Sequence, residues 1–411
     1  MNMRLLYHIV AGFLFIGIII TFAGLIMFFI MKIVVAFDSF KGSATSMEVG
    51  NAVREAFIDV MPSCEVIVVP IADGGEGTVA AISNIVKDDV KWIECPTFDP
   101  LMRPIDANYC IIGENEIAAI ELASASGLPL VEPNLRNPLK TTTYGTGILI
   151  RNALDHGCTN FVIGLGGSAT NDGGIGMLTA LGYKFLDGDK RIVEPIGASL
   201  SKIVEIDDSN VDSRLEKCLF TVACDVTNPM VGKNGAAYIF APQKGADAGM
   251  VESLNSGLEL YATVLNCHSG KNIAMQAGAG AAGGVGGGML ALLNAELKSG
   301  SEIILEMAHF SKTIYDANYV ITGEGCIDEQ SGMGKAVGAV LNHAISVGVP
   351  VIGIAGTVIT KMIDERFSAV FSIQQAPVSM SDAMDNITTV NNVYFTAKQV
   401  AKLIKTTIEK C

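Results

Sequence analysis

The hydrophobic and polar positions of the chain repeat in the order apolar strand, polar loop, amphipathic helix. Residues 33–37 are continuously apolar and end at the polar stretch DSFKGS, after which a helix is predicted from Ser46, with Thr45 or Ser46 as its N-cap. A second apolar run, VIVVPI, leads into a glycine-rich exit and a helix from Thr78. Because these runs are apolar at consecutive positions, they indicate strands buried on both faces, as in a parallel sheet.

The same order of strand, loop and helix returns near the C-terminus. A stretch of different composition lies between the two ends of the chain. Residues 91–104 hold three prolines and the single tryptophan, which marks a domain boundary. The segments YVITGEGCID and VPVIGIAGT then resume the strand-and-helix order. We therefore predict an α/β protein with two α/β domains. Both chain ends, residues 31–95 and 305–411, form a Rossmann-like parallel sheet, and residues 96–304 form an inserted second α/β domain.

Residues 1–30 form a hydrophobic leader outside this pattern. Residues 5–30 carry no charge except the titratable His8, and they are long enough to span a bilayer as a transmembrane helix. More basic residues follow this segment than precede it, which places the remainder of the chain in the cytoplasm. Met31 directly precedes the first strand, so a start at Met31, with a mis-assigned leader, stays open beside a membrane anchor.

Composition excludes several kinds of partner. The formal net charge of −14 argues against nucleic acid, because phosphate backbones attract basic surfaces. The nine cysteines form no C-x-x-C pair and no His/Cys cluster, so neither a zinc site nor a disulfide framework is indicated. Whether the chain forms a homo-oligomer is left open by the sequence.

Acidic side chains follow five of the predicted strands, and ligands of open α/β sheets bind beyond the carboxyl ends of strands. These residues are Asp38, Asp73, Asp172, Asp225 and Glu324. Any one of them is readily explained as a turn or cap residue, but five such positions together indicate a site. Because converging carboxylates repel one another, they point to a bound cation. Mg²⁺ fits, since it takes one or two carboxylates together with substrate phosphates.

The glycine-rich stretch GLGGSATNDGG, residues 164–174, offers backbone N–H groups and a helix N-terminus to phosphate oxygens. Together with the carboxylates it predicts a magnesium–nucleotide site. The chain has no G-x-x-x-x-G-K-[ST] motif and is therefore not a P-loop protein.

Two other functions are kept as alternatives. Gly164, Gly166 and Ala169 match the dinucleotide pattern G-x-G-x-x-A, with Asp187 in the place of the ribose-binding acid, which allows an NAD-dependent hydroxy-acid oxidoreductase. Asp172 argues against this alternative, because a carboxylate at that helix turn repels pyrophosphate unless magnesium intervenes. A membrane-tethered solute-binding protein with two lobes would explain the leader but not the carboxylates beside glycine-rich loops.

Nine motifs occur in order along the chain: DSFKGS (38–43), ADGGEGT (72–78), RNPLKTTTYGTG (136–147), GGSATNDGG (166–174), CDVTNP (224–229), NGAA (234–237), PQKGA (242–246), GAGAAGG (278–284) and TGEGCIDEQS (322–331). In these motifs the chain resembles the bacterial glycerate kinase family over nearly all of residues 31–411. It departs from the family at Phe37, where a proline is usual, and residues 1–30 are not part of the family pattern. The resemblance implies phosphorylation of D-glycerate by ATP with magnesium, in a cleft between two α/β domains, and it favours 2-phosphoglycerate as the product.

Phosphoryl transfer requires positioning and charge neutralisation, which suggests a role for each candidate residue. Lys41 is predicted to bind the glycerate carboxylate beside Asp38 and Ser39, with Arg136 and Lys140 as alternates. The nucleotide is assigned to Gly166, Gly167, Ser168, Asn171, Lys244 and Lys335. The candidate catalytic residues are Lys41 and the two carboxylates that can accept the hydroxyl proton, Asp172 and Asp225. Magnesium is assigned to Asp73, Glu76, Glu324 and Asp328, and the order of these carboxylates is left open.

Overall fold

The computed structural model describes residues 30–71, 78–86, 89–113, 116–327, 336–359 and 363–409. Its strands are β1 (Lys32–Phe37), β2 (Glu65–Val68), β3 (Val90–Phe98), β4 (Pro104–Ile112), β5 (Ile117–Glu121), β6 (Asn160–Gly164), β7 (Lys184–Leu186), β8 (Glu205–Asp207), β9 (Leu219–Ala223), β10 (Glu296–Lys298), β11 (Tyr319–Gly323), β12 (Cys326–Ile327), β13 (Val351–Ala355), β14 (Thr357–Val358) and β15 (Ala369–Ser372).

The α-helices are α1 (Ser46–Val60), α2 (Thr78–Val86), α3 (Ala123–Ser126), α4 (Tyr144–Asp155), α5 (Ile175–Ala180), α6 (Ala236–Phe240), α7 (Ala248–Ser269), α8 (Ala281–Leu292), α9 (Gly300–Met307), α10 (Phe310–Ile314), α11 (Ala336–Val347), α12 (Met380–Ala383) and α13 (Asn386–Ile408). Short 3₁₀ helices span Leu128–Leu130, Pro133–Leu135, Gly197–Lys202, Ser213–Lys217 and Pro242–Lys244.

The first sheet takes its strands from both ends of the chain, in the order β15-β13-β11-β1-β2, and all of them run parallel. The interior strand β1, between β11 and β2, is buried along almost its whole length, as its uninterrupted apolar run predicts. Helices α1 and α13 cover one face of this sheet. Helix α1 begins where the sequence predicts, because Thr45 and Glu48 form a capping box at its N-terminus.

The second sheet has the order β10-β9-β6-β5-β4-β3. Strands β5, β6, β9 and β10 are parallel, whereas β3 and β4 form an antiparallel pair at the edge. The proline-rich stretch with the tryptophan lies in this pair. Strand β3 runs across the predicted boundary at residues 95 and 96 and pairs within the second sheet. The limits of the two domains stay a prediction.

Helices α2, α9 and α11 lie between the two sheets and share one apolar core with them, which includes Val34 of the first sheet and Ala119 of the second. The backbone N–H of Val79, in the first turn of α2, donates to Oε1 of Glu121 at the carboxyl end of β5, at 3.2 Å. Because α2 follows β2 of the first sheet, this bond links that part of the chain to the carboxyl end of β5 in the second sheet.

The predicted α/β class with parallel sheets is confirmed. Among the described residues, no helix combines the length and the apolarity that a bilayer crossing needs. The predicted leader, apart from Ile30, lies outside the described residues.

Candidate functional site

The predicted site residues that the structure describes lie mainly at two cavities, one at the carboxyl end of each sheet, where α/β proteins bind ligands. A cavity of about 270 Å³ beyond β6 and β9 is named here the Lys244 pocket. A cavity of about 400 Å³ beyond β1, β11, β13 and β15 is named the Lys41 pocket. Four predicted residues lie outside the described residues: Asp73, Glu76, Asp328 and Lys335.

The Lys244 pocket brings together five of the predicted residues, namely Gly166, Gly167, Ser168, Asp225 and Lys244. Lys244 ends the 3₁₀ helix Pro242–Lys244, and only 2% of it is exposed. Its ammonium group donates to Ser168 Oγ at 2.8 Å and to the carbonyl oxygen of Thr170 at 2.6 Å. These two bonds fix the cation against the glycine-rich loop at the pocket wall.

Burial lowers the pKa of Lys244 to about 7, although the negative charge of Asp172 acts in the opposite direction. Loss of hydration penalises the charged ammonium, and a nearby anion favours it. A phosphate or carboxylate that enters the pocket is therefore expected to hold Lys244 in its charged form.

Asp172 belongs to the glycine-rich stretch 164–174, but it lines neither cavity. It is fully buried, and it accepts hydrogen bonds from the backbone N–H and the hydroxyl of Thr143, both at 2.8 Å, and from the backbone N–H groups of Gly174 and Gly176. Burial raises its pKa, while these hydrogen bonds act to lower it. A proton acceptor must reach its substrate, so this geometry fits a structural role better than the predicted role of base.

The same contacts correct one sequence expectation. Helix α5 follows the glycine-rich loop, but its N-terminal N–H groups are already bound to the Asp172 carboxylate. This helix N-terminus is therefore not available to a phosphate. The loop segment that does line the pocket is Gly166–Ser168.

The motif GAGAAGG packs against the glycine-rich loop. At Ala282 the backbone enters the left-handed region, with φ of 52°, and Gly283 and Gly284 continue it. Gly173 N–H donates to the Gly283 carbonyl oxygen at 3.0 Å, and a Cβ atom on Gly283 would lie 2.3 Å from the Thr170 carbonyl oxygen. Only glycine permits both this conformation and this approach. Ala282 lines the Lys244 pocket, and its neighbour Gly283 contacts the glycine-rich loop at Thr170 and Gly173.

Asn171, predicted to contact the nucleotide, is fully buried below the pocket wall. Neither polar atom of its side chain has a hydrogen-bond partner among the described residues. It is not among the residues that line the pocket, so its role in binding stays a prediction.

Asp225 is the exposed carboxylate of the Lys244 pocket. It follows β9, and its Oδ1 accepts a hydrogen bond at 3.2 Å from the backbone N–H of Gly300, the first residue of α9. Its exposure distinguishes it from Asp172 and leaves it accessible to a bound substrate.

The Lys41 pocket collects the other predicted residues, Asp38, Ser39, Lys41 and Glu324. Asp38 is buried, and its Oδ1 accepts from the Ser39 N–H at 2.7 Å. Three further lining residues were not predicted: Gln374, which follows β15, and Met380 and Met384, at the start and just past the end of α12. No motif marks these residues, because they join the site only through the position of β15 at the sheet edge.

The two alternate cations lie outside both cavities. Arg136 Nε donates to the Val131 carbonyl oxygen at 3.2 Å. The turn that follows Lys244 packs on Arg136, since a Cβ atom on Gly245 would lie 2.3 Å from the Arg136 carbonyl oxygen. Lys140 is exposed.

Magnesium needs few protein ligands when phosphates supply the others. No group of three or more His, Cys, Asp or Glu side chains suited to a metal occurs in the part of the chain that the structure describes. Glu324 and Asp225 each present one carboxylate at a pocket, which is enough for an ion held mainly by a nucleotide.

The residues that match the dinucleotide-binding pattern, Gly164, Gly166 and Ala169, do not lie at the start of a helix, as dinucleotide binding requires. The pattern's last residue should open a helix, but Ala169 precedes α5 by six positions and pairs with the Ser126 carbonyl oxygen. Asp187 sits in a tight turn, where its Oδ1 accepts from the N–H groups of Asp189 and Arg191. The NAD alternative is therefore not supported by the fold.

Comparison with known proteins gives a consistent result. The model of the glycerate kinase family matches residues 33–405. A glycerate kinase from Haemophilus influenzae is 45% identical over 377 residues, which cover 91% of this chain and 99% of that protein. A glycerate 2-kinase from Escherichia coli is 44% identical over 366 residues, covering 87% of this chain and 95% of that protein.

A crystal structure from Salmonella typhimurium LT2, provisionally described as a glycerate kinase 2, superposes with a TM-score of 0.82 at 41% identity and covers 92% of this chain and 99% of its own. Neither the NAD-dependent oxidoreductase nor the solute-binding protein is supported by these similarities. The chain belongs to the glycerate kinase family.

Proposed function

We propose that this chain is a kinase that transfers the γ-phosphoryl group of ATP to a hydroxyl group of D-glycerate. Family membership supports this activity, and the relative named glycerate 2-kinase supports the 2-hydroxyl as the acceptor. The single observation that carries the proposal is the content of the Lys244 pocket. It holds a buried cation, glycine N–H groups and an exposed carboxylate in one cavity of about 270 Å³.

These groups match the needs of phosphoryl transfer. The hydroxyl oxygen of glycerate attacks the γ-phosphorus, its proton passes to the Asp225 carboxylate, and the bond from the γ-phosphorus to the bridging oxygen breaks as ADP leaves. Lys244, held by Ser168, neutralises charge on the transferred group. The backbone of Gly166–Ser168 borders the same cavity and is positioned to donate to phosphate oxygens.

The glycerate carboxylate needs a cation of its own. Lys41 is the residue predicted from the sequence, but it lies at the other pocket. Arg136 is the first alternate: its main chain packs against the turn that follows Lys244, and its side chain lines neither cavity. Lys140 stays the second alternate.

Magnesium, when bound, would neutralise the charge that develops on the ATP phosphates. Glu324 is the described residue assigned to it, and Asp73, Glu76 and Asp328 are the other predicted ligands. A cytoplasmic location and homo-oligomer formation stay predictions.

The test is a coupled assay of ADP release by the purified chain with D-glycerate, L-glycerate, lactate and glycolate, with and without magnesium. We expect turnover with D-glycerate and ATP that stops when EDTA removes divalent ions. Phosphorus NMR of the product should show a 2-phosphate ester. Absence of glycerate-dependent ADP release, or reduction of NAD⁺ by any of these acids, would contradict the proposal.

A further inference from the structure

The Lys41 pocket is larger and more apolar than glycerate requires. Its lining combines the polar side chains of Asp38 and Lys41 with the apolar side chains of Ile373, Met380 and Met384. Met384 lies over the DSFKGS turn, since a Cβ atom on Gly42 would be 3.1 Å from its terminal methyl group. Glycerate bears a polar group on each of its three carbons and gains little from such a wall. A flat heterocycle gains both apolar burial and contact with methionine sulfur.

Gln374 adds a specific feature to the lining of the pocket. Its Oε1 atom is buried, and it has no hydrogen-bond partner among the described residues. A buried acceptor left unpaired costs stability, so a ligand that donates a hydrogen bond there is favoured. An exocyclic amino group on a flat ring supplies such a donor, and the amide of glutamine is a good partner for adenine.

We propose that the Lys41 pocket binds the adenine base of ATP, with Met384 and Ile373 against the ring and the 6-amino group donating to Gln374 Oε1. The proposal rests on the kinase activity proposed above. It divides the site between the two sheets, with the base beyond the first and the transferred phosphoryl group beyond the second. The Val79–Glu121 bond links the helix that follows β2 of the first sheet to the carboxyl end of β5 in the second sheet.

The experiment compares ATP with inosine triphosphate, which carries a carbonyl oxygen in place of the 6-amino group. We expect the wild-type chain to have a kcat/KM for ATP at least about tenfold above that for inosine triphosphate, the value of one buried hydrogen bond. In Gln374→Leu this ratio should fall close to one, with the glycerate KM unchanged. Gln375→Leu is the matched control, because Gln375 is adjacent and exposed and does not line the pocket. It should keep the wild-type ratio.

A second variant tests the pocket without altering Gln374. In Met384→Trp the larger side chain should fill part of the cavity and raise the KM for ATP about tenfold or more, while the KM for glycerate stays within about twofold. Equal use of the two nucleotides by the wild-type chain, an unchanged ratio in Gln374→Leu, or an unchanged ATP KM in Met384→Trp would each overturn the proposal. Glycerate-dependent turnover in the same assays reports separately on the kinase activity itself.

Discussion

The ammonium group of Lys244 lies 2.8 Å from the hydroxyl of Ser168, 76 residues away along the chain. This bond joins the PQKGA motif to the glycine-rich loop after β6. It keeps a buried cation at the wall of the pocket where the phosphoryl group is proposed to be transferred. Because the ammonium group is buried, its charged form is disfavoured and the pKa of Lys244 is lowered.

The pKa of Lys244, about 7, predicts how ATP use depends on pH. Below pH 7 the ammonium is charged and can neutralise a phosphate, and above pH 7 the free protein increasingly holds it neutral. We therefore expect kcat/KM for ATP to fall as the pH rises from 7 to 9, since this constant reports the free enzyme. Lys244→Met should lose about 10²–10³ in kcat/KM at pH 6.5 and lack this decrease. Parallel pH profiles for the two proteins would count against the assignment.

Asp172 and Asp225 are predicted to respond in opposite ways to the same substitution. Asp172→Asn removes a buried carboxylate that accepts four hydrogen bonds, so the free energy of unfolding should drop by about 2 to 4 kcal/mol. Asp225→Asn changes an exposed carboxylate, so stability should change by less than about 1 kcal/mol while kcat falls about 10²–10⁴. Urea unfolding and steady-state kinetics on both variants make the comparison. A stable but inactive Asp172→Asn protein would restore Asp172 as a candidate base.

The sequence predicted those parts of the fold that local chemistry determines. The apolar run of β1 and the start of α1 at Ser46 depend on neighbouring residues only, and both predictions are confirmed; of the two predicted caps, Thr45 or Ser46, the structure has Thr45. Asp172 shows the limit of this reasoning. Its place after a strand indicated a catalytic carboxylate, but Thr143 supplies two of its hydrogen bonds from 29 residues away. Nothing in the local pattern around Asp172 reveals that partner.

The Lys41 pocket illustrates the same limit at a larger scale. Asp38 and Lys41 could be predicted as site residues because they belong to a polar stretch at the end of an apolar strand. Gln374 was missed, since it follows the edge strand β15 without a motif, and only the order β15-β13-β11-β1 brings it to the pocket. Strand order in a parallel sheet depends on crossovers that a periodic pattern does not encode.

Gly283 should tolerate no side chain, because two independent constraints act on it. Its φ is +72°, and a Cβ atom would meet the Thr170 carbonyl oxygen at 2.3 Å. Gly283→Ala is expected to cost about 3 kcal/mol in the free energy of unfolding, from the left-handed backbone and the clash together. Gly232 also has a positive φ, +83°, but nothing within 4 Å of the added atom, so Gly232→Ala should cost only about 1 kcal/mol. If urea unfolding shows the same loss of unfolding free energy for both variants, the contact with Thr170 contributes nothing to stability.

Lys41→Ala distinguishes the two assignments of the Lys41 pocket. The sequence places Lys41 on the glycerate carboxylate, which predicts a loss of about 2 to 5 kcal/mol in glycerate binding or transition-state stabilisation and little change for ATP. The apolar side chains and Gln374 favour the nucleotide in this pocket instead, and Lys41 lines the same pocket. We therefore expect Lys41→Ala to raise the KM for ATP roughly tenfold, as loss of a charged hydrogen bond does, and to leave the KM for glycerate within about twofold. Lys402→Ala serves as the control, because Lys402 is exposed on α13 and lines neither cavity. A raised glycerate KM with an unchanged ATP KM would return Lys41 to the glycerate carboxylate and remove the nucleotide from this pocket.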